Sequence, residues 1–227
     1  MLKSSIVVFF LLFVVSNSFS QELPKGYINL FDGNTLSGWH IFKKPGLVPA
    51  WDIQDGAIHL DPTKKEGRGD LVTNFEFEDF DLIFDWKIAV KSSSGLLFMV
   101  QETEKNRFSW HTGPEFKIID NENYHGTLLP KQMSGSLNDL IACPPTFCKP
   151  VGEWNTTQIK LKKHKLTIFL NGKNVVNIEV GSSDWNALVY GSKYASFDQF
   201  AKNKSGRIAL VDHGGEVWFR NIFIKSL

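Results

Sequence analysis

The chain has 227 residues, 25 Lys and Arg against 24 Asp and Glu, a hydrophobic fraction of 42% and only 2 Cys. So even a charge balance gives no electrostatic reason to expect nucleic acid or an anionic membrane as a partner, and the composition is neither that of a disordered chain nor that of a disulfide-built miniprotein. A chain of this length buries around 70% of its unfolded surface, enough for one large core.

Residues 1–20 have the anatomy of a secretory signal: Lys3 near the start, an apolar run over 6–15, and the small residues Ser18 and Ser20 before the expected cleavage. The apolar run is shorter than the roughly 20 residues a spanning helix needs. The mature chain, 21–227, is therefore expected to be a single domain, secreted or periplasmic, with no membrane span. No Cys lies near the cleavage point, so a lipid anchor is not expected.

In the mature chain no long 3.6-residue apolar stripe occurs. Short runs rich in Val, Ile, Phe and Trp recur instead between turn signals. Residues 82–90 and 96–100 are predicted strands, with Ser92-Ser93-Ser94-Gly95 as the turn between them. Glu115 begins another, in which Phe116 and Ile118 point to one face while Glu115 and Lys117 point to the other. Cys143 and Cys148 bracket a turn-rich segment whose ends can approach within reach of a local disulfide, and they lack the Cys-x-x-Cys spacing of a redox pair. Residues 166–170, Asn171-Gly172 and 173–176 predict a hairpin, because Asn-Gly tolerates the positive φ angles of a tight primed turn. Residues 185–200 hold one short helix or an irregular loop. A second hairpin is predicted from 207–213, Gly214-Gly215 and 216–225. A single sheet this apolar would leave one greasy face in water, so the expected fold is all-β, with two antiparallel sheets packed face to face.

Four blocks of this sequence form a pattern. They are Phe31-Asp32-Gly33-Asn34-Thr35-Leu36-Ser37-Gly38-Trp39; Thr112-Gly113-Pro114-Glu115-Phe116-Lys117-Ile118-Ile119-Asp120-Asn121; Lys149-Pro150-Val151-Gly152-Glu153-Trp154-Asn155; and Ile208-Ala209-Leu210-Val211-Asp212-His213-Gly214 with Val217-Trp218-Phe219-Arg220-Asn221-Ile222. In order, and over nearly all of the mature chain, the pattern resembles the 3-keto-disaccharide hydrolase family. The resemblance implies a concanavalin-like β-sandwich of jelly-roll type. It also implies cleavage of glycosides already oxidised to a ketone at sugar carbon 3. Three places depart from the family's usual pattern. Asp85-Trp86-Lys87 stands where relatives commonly have Glu-Trp-Arg, Lys117 where Gln is usual, and Ser93-Ser94-Gly95 where Asn-Ser-Gly is usual. The first shortens a carboxylate and exchanges a bidentate guanidinium for a point charge.

A ketone at C3 acidifies the C2 hydrogen, so a positioned base can remove it. The resulting enolate expels the C1 substituent, and water addition completes a net hydrolysis. This chemistry needs a base, an acid for the departing oxygen, and donors or a cation for the enolate. Glu115, beside Trp110, His111 and Gly113-Pro114, is the expected base, with its pKa raised in a partly dry cleft. The alternative for it is an ion pair with Lys117. His125 sits where the family has a His after the Asp-Asn pair, and imidazole suits acid or base work near neutral pH. Asp120 either joins these two or makes an Asx turn. His213 is assigned to the site without Asp212, because adjacent strand residues point apart; the alternative is a plain turn role.

Arg220 shares strand parity with Glu216 and Trp218, placing an indole beside a guanidinium for the keto sugar; a cross-strand Arg-Glu pair is the alternative. Trp110 is expected to stack on the sugar, and Lys117, Gln101 and Asp85 complete the substrate-binding set. No organic cofactor is expected. One divalent ion, held by Glu115, Asp120, His125 and His213, is a candidate even though no His-x-His or His-x-x-x-His run occurs. Neither a Gly-x-Ser-x-Gly elbow nor a Gly-rich phosphate loop is present. The partner is thus expected to be a small oxidised glycoside. Two other readings are a noncatalytic carbohydrate-binding sandwich and a conventional glycosidase, which needs two carboxyl groups flanking the glycosidic bond.

Overall fold

The computed structural model describes residues 22–44, 46 and 50–227; the predicted leader at 1–20 lies outside them. The chain runs through β1 (Ile28–Asn29), β2 (Trp39–Ile41), β3 (Trp51–Gln54), β4 (Ala57–Leu60), β5 (Leu71–Thr73), β6 (Phe80–Ile88), β7 (Ser93–Val100) and β8 (Glu115–Ile119). It continues through β9 (Asn155–Lys162), β10 (Lys165–Leu170), β11 (Lys173–Glu179), the helix α1 (Ser183–Tyr190), β12 (Arg207–Leu210) and β13 (Val217–Ser226). An 8-stranded sheet has the order β11-β10-β9-β6-β13-β4-β3, with β1 also paired to β13, and a 5-stranded sheet has the order β2-β5-β12-β7-β8. The strand pairings are antiparallel, and the two sheets form the expected sandwich.

Alternation along the strands builds the core. Leu82, Phe84, Trp86 and Ile88 of β6 face inward from the larger sheet, and Leu96 and Phe98 of β7 and Phe116 and Ile118 of β8 face inward from the smaller. Phe84 and Trp86 meet Phe116 edge-on at 6.0 and 6.3 Å, so the sheets are keyed together by aromatic contacts beneath the strand that carries Glu115. The hairpin β10–β11 turns at Asn171 (φ 48°) and Gly172 (φ 77°), the positive-φ pair that the Asn-Gly sequence predicts. Of residues 185–200, 185–190 belong to α1, capped by Ser182 accepting from Trp185 N at 3.2 Å, and a 3-10 turn follows over Lys193–Ser196.

Three expectations are corrected. β12 and β13 do not form a hairpin: β12 pairs with β5 and β7, and β13 with β1, β4 and β6. Residues 211–216 therefore carry the chain from one sheet to the other, because Ile208 and Leu210 pack against the same core that Val217 and Phe219 enter from the opposite side. The turn after β6 comes earlier than predicted. Lys91 takes φ 58° and Ser92 N donates to Ala89 O, which leaves Ser93 and Gly95 inside β7. Finally, Cys143 and Cys148 are free thiols. Each sulfur donates instead to a backbone carbonyl at 3.4 Å, Cys143 to Pro144 O and Cys148 to Ser134 O, and burial pushes the thiols up to about 12 and about 11. Among the described residues no helix is long and apolar enough to cross a membrane.

Candidate active site

On its outer face the 5-stranded sheet carries a second, small apolar cluster. Val72 of β5, Leu97 and Val100 of β7, Ala209 of β12 and Val211 form its base, and Phe42 and Trp110 lie over them. Above this base opens a cleft of about 580 Å³ whose walls include Arg68, Asp70, Phe108, Trp110, Asp212 and His213. Trp110 and Phe108 stack with centroids 5.6 Å apart and planes 9° apart, and Phe197 closes on Trp110 edge-on at 5.0 Å. A rigid aromatic wall beside polar groups suits the C–H face of a pyranose.

Glu115 lies beneath His213 at the start of β8, only 3% exposed. Its Oε1 is 3.3 Å from Nε2 of His213 and accepts from Nζ of Lys117 at 3.3 Å, and its Oε2 accepts from Nδ2 of Asn138 at 2.6 Å. Burial alone would push this carboxyl up, but Lys117, His213 and Lys193 together outweigh it and hold the group well below the usual carboxylate range. The expected raised pKa is thereby reversed: Glu115 is an ionised, ion-paired acceptor. Lys117 also donates to Ser93 Oγ at 2.8 Å. Two of the chain's departures from the family's usual residues, Lys117 and Ser93, are thus in direct contact. Gly95 pairs with Lys117 across the strands, and a Cβ there would lie 2.5 Å from Glu115 Oε1. Gly95→Ala is expected to displace the carboxylate, lowering both the melting temperature and turnover; a thermal melt and a rate assay read the two losses on one sample.

An ionised carboxylate can only accept, so the His213 Nε2 facing it carries the proton. Among the described residues Nδ1 of His213 has no hydrogen-bond partner, and the ring stands in the cleft wall with its side chain 36% exposed. Asp212 points elsewhere, as the alternation of adjacent residues requires. Its carboxylate pairs with Arg68 and accepts from Gly69 N at 2.9 Å, clamping the loop before β5 to the inter-sheet connection. In return Asp212 N donates to Oδ1 of Asp70 at 2.8 Å, while Oδ2 of Asp70 accepts from the Ser109 hydroxyl. Burial in the cleft wall raises the Asp70 carboxyl despite these donors, with Glu115 adding to the rise and His213 opposing it. Sequence reasoning missed Asp70 and Arg68. The only signal was the run Gly67-Arg68-Gly69-Asp70 leading into the short apolar Leu71-Val72-Thr73, a charged pair introduced by glycines where the chain passes close to its neighbours.

The other predicted residues do not converge on this cleft. Asp120 makes the Asx turn: its Oδ1 accepts from Glu122 N and Asn123 N, both at 3.0 Å, and its Oδ2 from Lys91 N at 2.8 Å. Burial pushes that carboxyl up, but these backbone donors prevail and lower it. His125 is exposed in the loop beyond this turn, with Tyr124 as its ring neighbour at 6.4 Å. Gln101 is held by Ser205 O at 2.7 Å and Glu76 at 3.1 Å. Asp85, Trp218 and Arg220 lie on the outer face of the 8-stranded sheet, across the sandwich from Glu115, since their neighbours Phe84, Trp86 and Phe219 fill the core. There Arg220 lies 4.0 Å from the centroid of Trp154 and 3.5 Å from Asp85, and Lys87 lies 4.2 Å from Trp218. Shared parity on β13 placed Trp218 and Arg220 together correctly, but parity says nothing about which sheet the strand joins. Among the described residues no three His, Cys, Asp or Glu side chains are grouped to hold a metal ion, and Asp120 and His125 lie apart from Glu115 and His213.

Fold and cleft together define a concanavalin-like β-sandwich with an aromatic-walled, polar site of sugar size on one outer face. Over residues 26–225 the chain matches the 3-keto-alpha-glucoside-1,2-lyase-like domain, and it belongs to that family. A 3-keto-disaccharide hydrolase of Bacteroides thetaiotaomicron is 32% identical, with 92% of this chain and 82% of the relative covered. A crystal structure from Parabacteroides distasonis, provisionally described as a glycosyl hydrolase, superposes with a TM-score of 0.82 at 31% identity, over 89% of this chain and 94% of that one. The carbohydrate-binding module CBM66 of Bacillus subtilis superposes with a TM-score of 0.51 at 12% identity, over 83% of this chain and 96% of that one, a likeness of fold alone.

Proposed function

We propose that the protein is an exported enzyme that cleaves 3-keto-glycosides by removing the C2 proton, expelling the C1 substituent and adding water. Membership of the family and the activity named for the Bacteroides relative support the substrate class. The leader-like residues 1–20 support export. The single observation that carries the mechanism is the Glu115–His213 pair: a carboxylate kept ionised beneath an imidazole whose other nitrogen, without a hydrogen-bond partner among the described residues, stands at the cleft wall. In this reading Nδ1 of His213 takes the C2 proton, in place of Glu115 or His125. Glu115 is a positioning residue that sets the tautomer and stabilises the imidazolium. Arg68, with Lys44 and Arg107 on the same wall, supplies cationic lining where enolate charge develops, and Trp110 with Phe108 takes the sugar face.

A conventional glycosidase would need two carboxyl groups with access to the glycosidic oxygen. Glu115 is sealed beneath His213 and Asp212 is engaged by Arg68, which disfavours that reading. Incubation with a 3-keto-glucoside and with its unoxidised parent separates the possibilities by sugar release. The proposal expects release from the keto form only. Release from the parent would identify a glycosidase, and binding of either compound without release would identify a carbohydrate-binding module.

A further inference from the structure

Elimination at C1 needs a proton for the oxygen that leaves, and a second group that starts protonated lets that transfer overlap with removal of the C2 proton by His213. Of the two carboxyl groups lining the cleft, Asp212 is engaged by Arg68, and Asp70 remains. It is tied to the His213 segment through Asp212 N at 2.8 Å and to the aromatic wall through the hydroxyl of Ser109, the residue before Trp110. We propose, on the reading of the preceding subsection, that Asp70 is the general acid that protonates the departing glycosidic oxygen. Burial favours the protonated form it needs, and the charged or titratable groups around it are Arg68, Asp212, His213 and, below them, Glu115. The arrangement divides the labour between an imidazole kept in its basic tautomer by one carboxylate and a second carboxyl whose surroundings favour the acid.

The step balances. Nδ1 of His213 takes H⁺ from C2, and the C–H electron pair becomes the enolate. As the enolate collapses, the C1–O pair leaves with the aglycone oxygen, which receives the Asp70 proton. Hydration then runs the same exchange backwards. The Asp70 carboxylate takes a proton from the water whose oxygen bonds to C1, and the imidazolium, its Nδ1 proton exchanged with solvent at the open cleft, delivers a proton to C2. Both side chains finish as they began, and the sum is hydrolysis.

A general acid matters in proportion to how poor the leaving group is, so two 3-keto-glucosides differing only in aglycone test the assignment: one with a sugar alcohol leaving group and one with 4-nitrophenol. Asp70→Asn is expected to lose about 10²–10⁴-fold in kcat on the sugar aglycone, with a loss at least about tenfold smaller on the nitrophenyl substrate. Asp70→Glu, which retains an acid, is expected to recover part of the loss on the sugar aglycone alone. A thermal melt of each variant separates chemistry from misfolding. Equal losses of Asp70→Asn on both substrates, with the fold intact, would overturn the acid role while leaving the proposed function standing. A wild-type protein that cleaves neither keto substrate would overturn the proposed function and this assignment with it.

Discussion

His213→Asn is expected to lower turnover of a 3-keto-glucoside by about 10²–10⁴-fold, the usual worth of a positioned base, while the melting temperature stays close to that of the wild type. The side chain is 36% exposed, and Glu115, its one hydrogen-bond partner among the described residues, keeps Lys117 and Asn138 when the imidazole is gone, so little packing is lost. The substitution removes the lone pair at Nδ1 and places a shorter amide over the carboxylate. His213→Gly should regain part of its activity when imidazole is added to the buffer, because the vacated space opens to the cleft and the carboxylate that orients the ring remains. Rates in a series of imidazole concentrations, compared with a wild-type control, measure this directly. A variant with full activity would remove the imidazole from the chemistry.

The second large effect concerns stability. Glu115→Gln is expected to destabilise the fold by about 3–5 kcal/mol, because it leaves the Lys117 ammonium, only 7% exposed, without its carboxylate counter-charge. Urea unfolding gives the size, and Glu115→Gln/Lys117→Met tells the two contributions apart. The double variant should recover most of the lost stability, since no uncompensated charge remains, yet recover little of the turnover, since no carboxylate is left to stabilise the imidazolium. The pH dependence has a definite sign. Glu115 has a folded-state pKa below its unfolded one, so its contribution to stability is present above the ordinary carboxylate range and is lost as the pH falls through that range toward the folded value. The single variant lacks this contribution at every pH, so the stability gap between it and the wild type should narrow steadily on acidification. A constant gap down to the acid transition would mean that the Glu115–Lys117 pair does not stabilise the fold.

Local sequence pattern revealed much of this architecture, and the misses share a cause. The two-residue period of β8 placed Phe116 and Ile118 in the core and Glu115 and Lys117 on the other face, and Asn171-Gly172 specified its hairpin turn, because both signals depend only on neighbouring residues. Parity on β13 put Trp218 beside Arg220 for the same reason. The partner sheet of β13, however, is decided by contacts with residues more than a hundred positions away, so the same reasoning placed Arg220 and His213 in one site although a whole sandwich lies between them. Asp70 escaped notice because its character comes from Ser109 and Asp212, distant in sequence and near only after β5 and β12 pair. The raised pKa expected for Glu115 was half right. Burial does act in that direction, and Lys117, two residues along the same strand, reverses it. Ser93 and Gly95 read as turn residues by composition, but their small size is needed where Lys117 and Glu115 lie over β7.

Isotope loss from C2 is the most direct test of proton removal at the carbon beside the ketone. A 3-keto-glucoside deuterated at C2 is incubated with enzyme in ordinary water, and the label is followed in the released 3-keto sugar during early turnover, against an enzyme-free control. Removal of the C2 proton by His213 predicts that the deuterium washes out as cleavage proceeds and that the deuterated substrate reacts more slowly. Product that keeps its full label, formed at the same rate from both isotopologues, would contradict it.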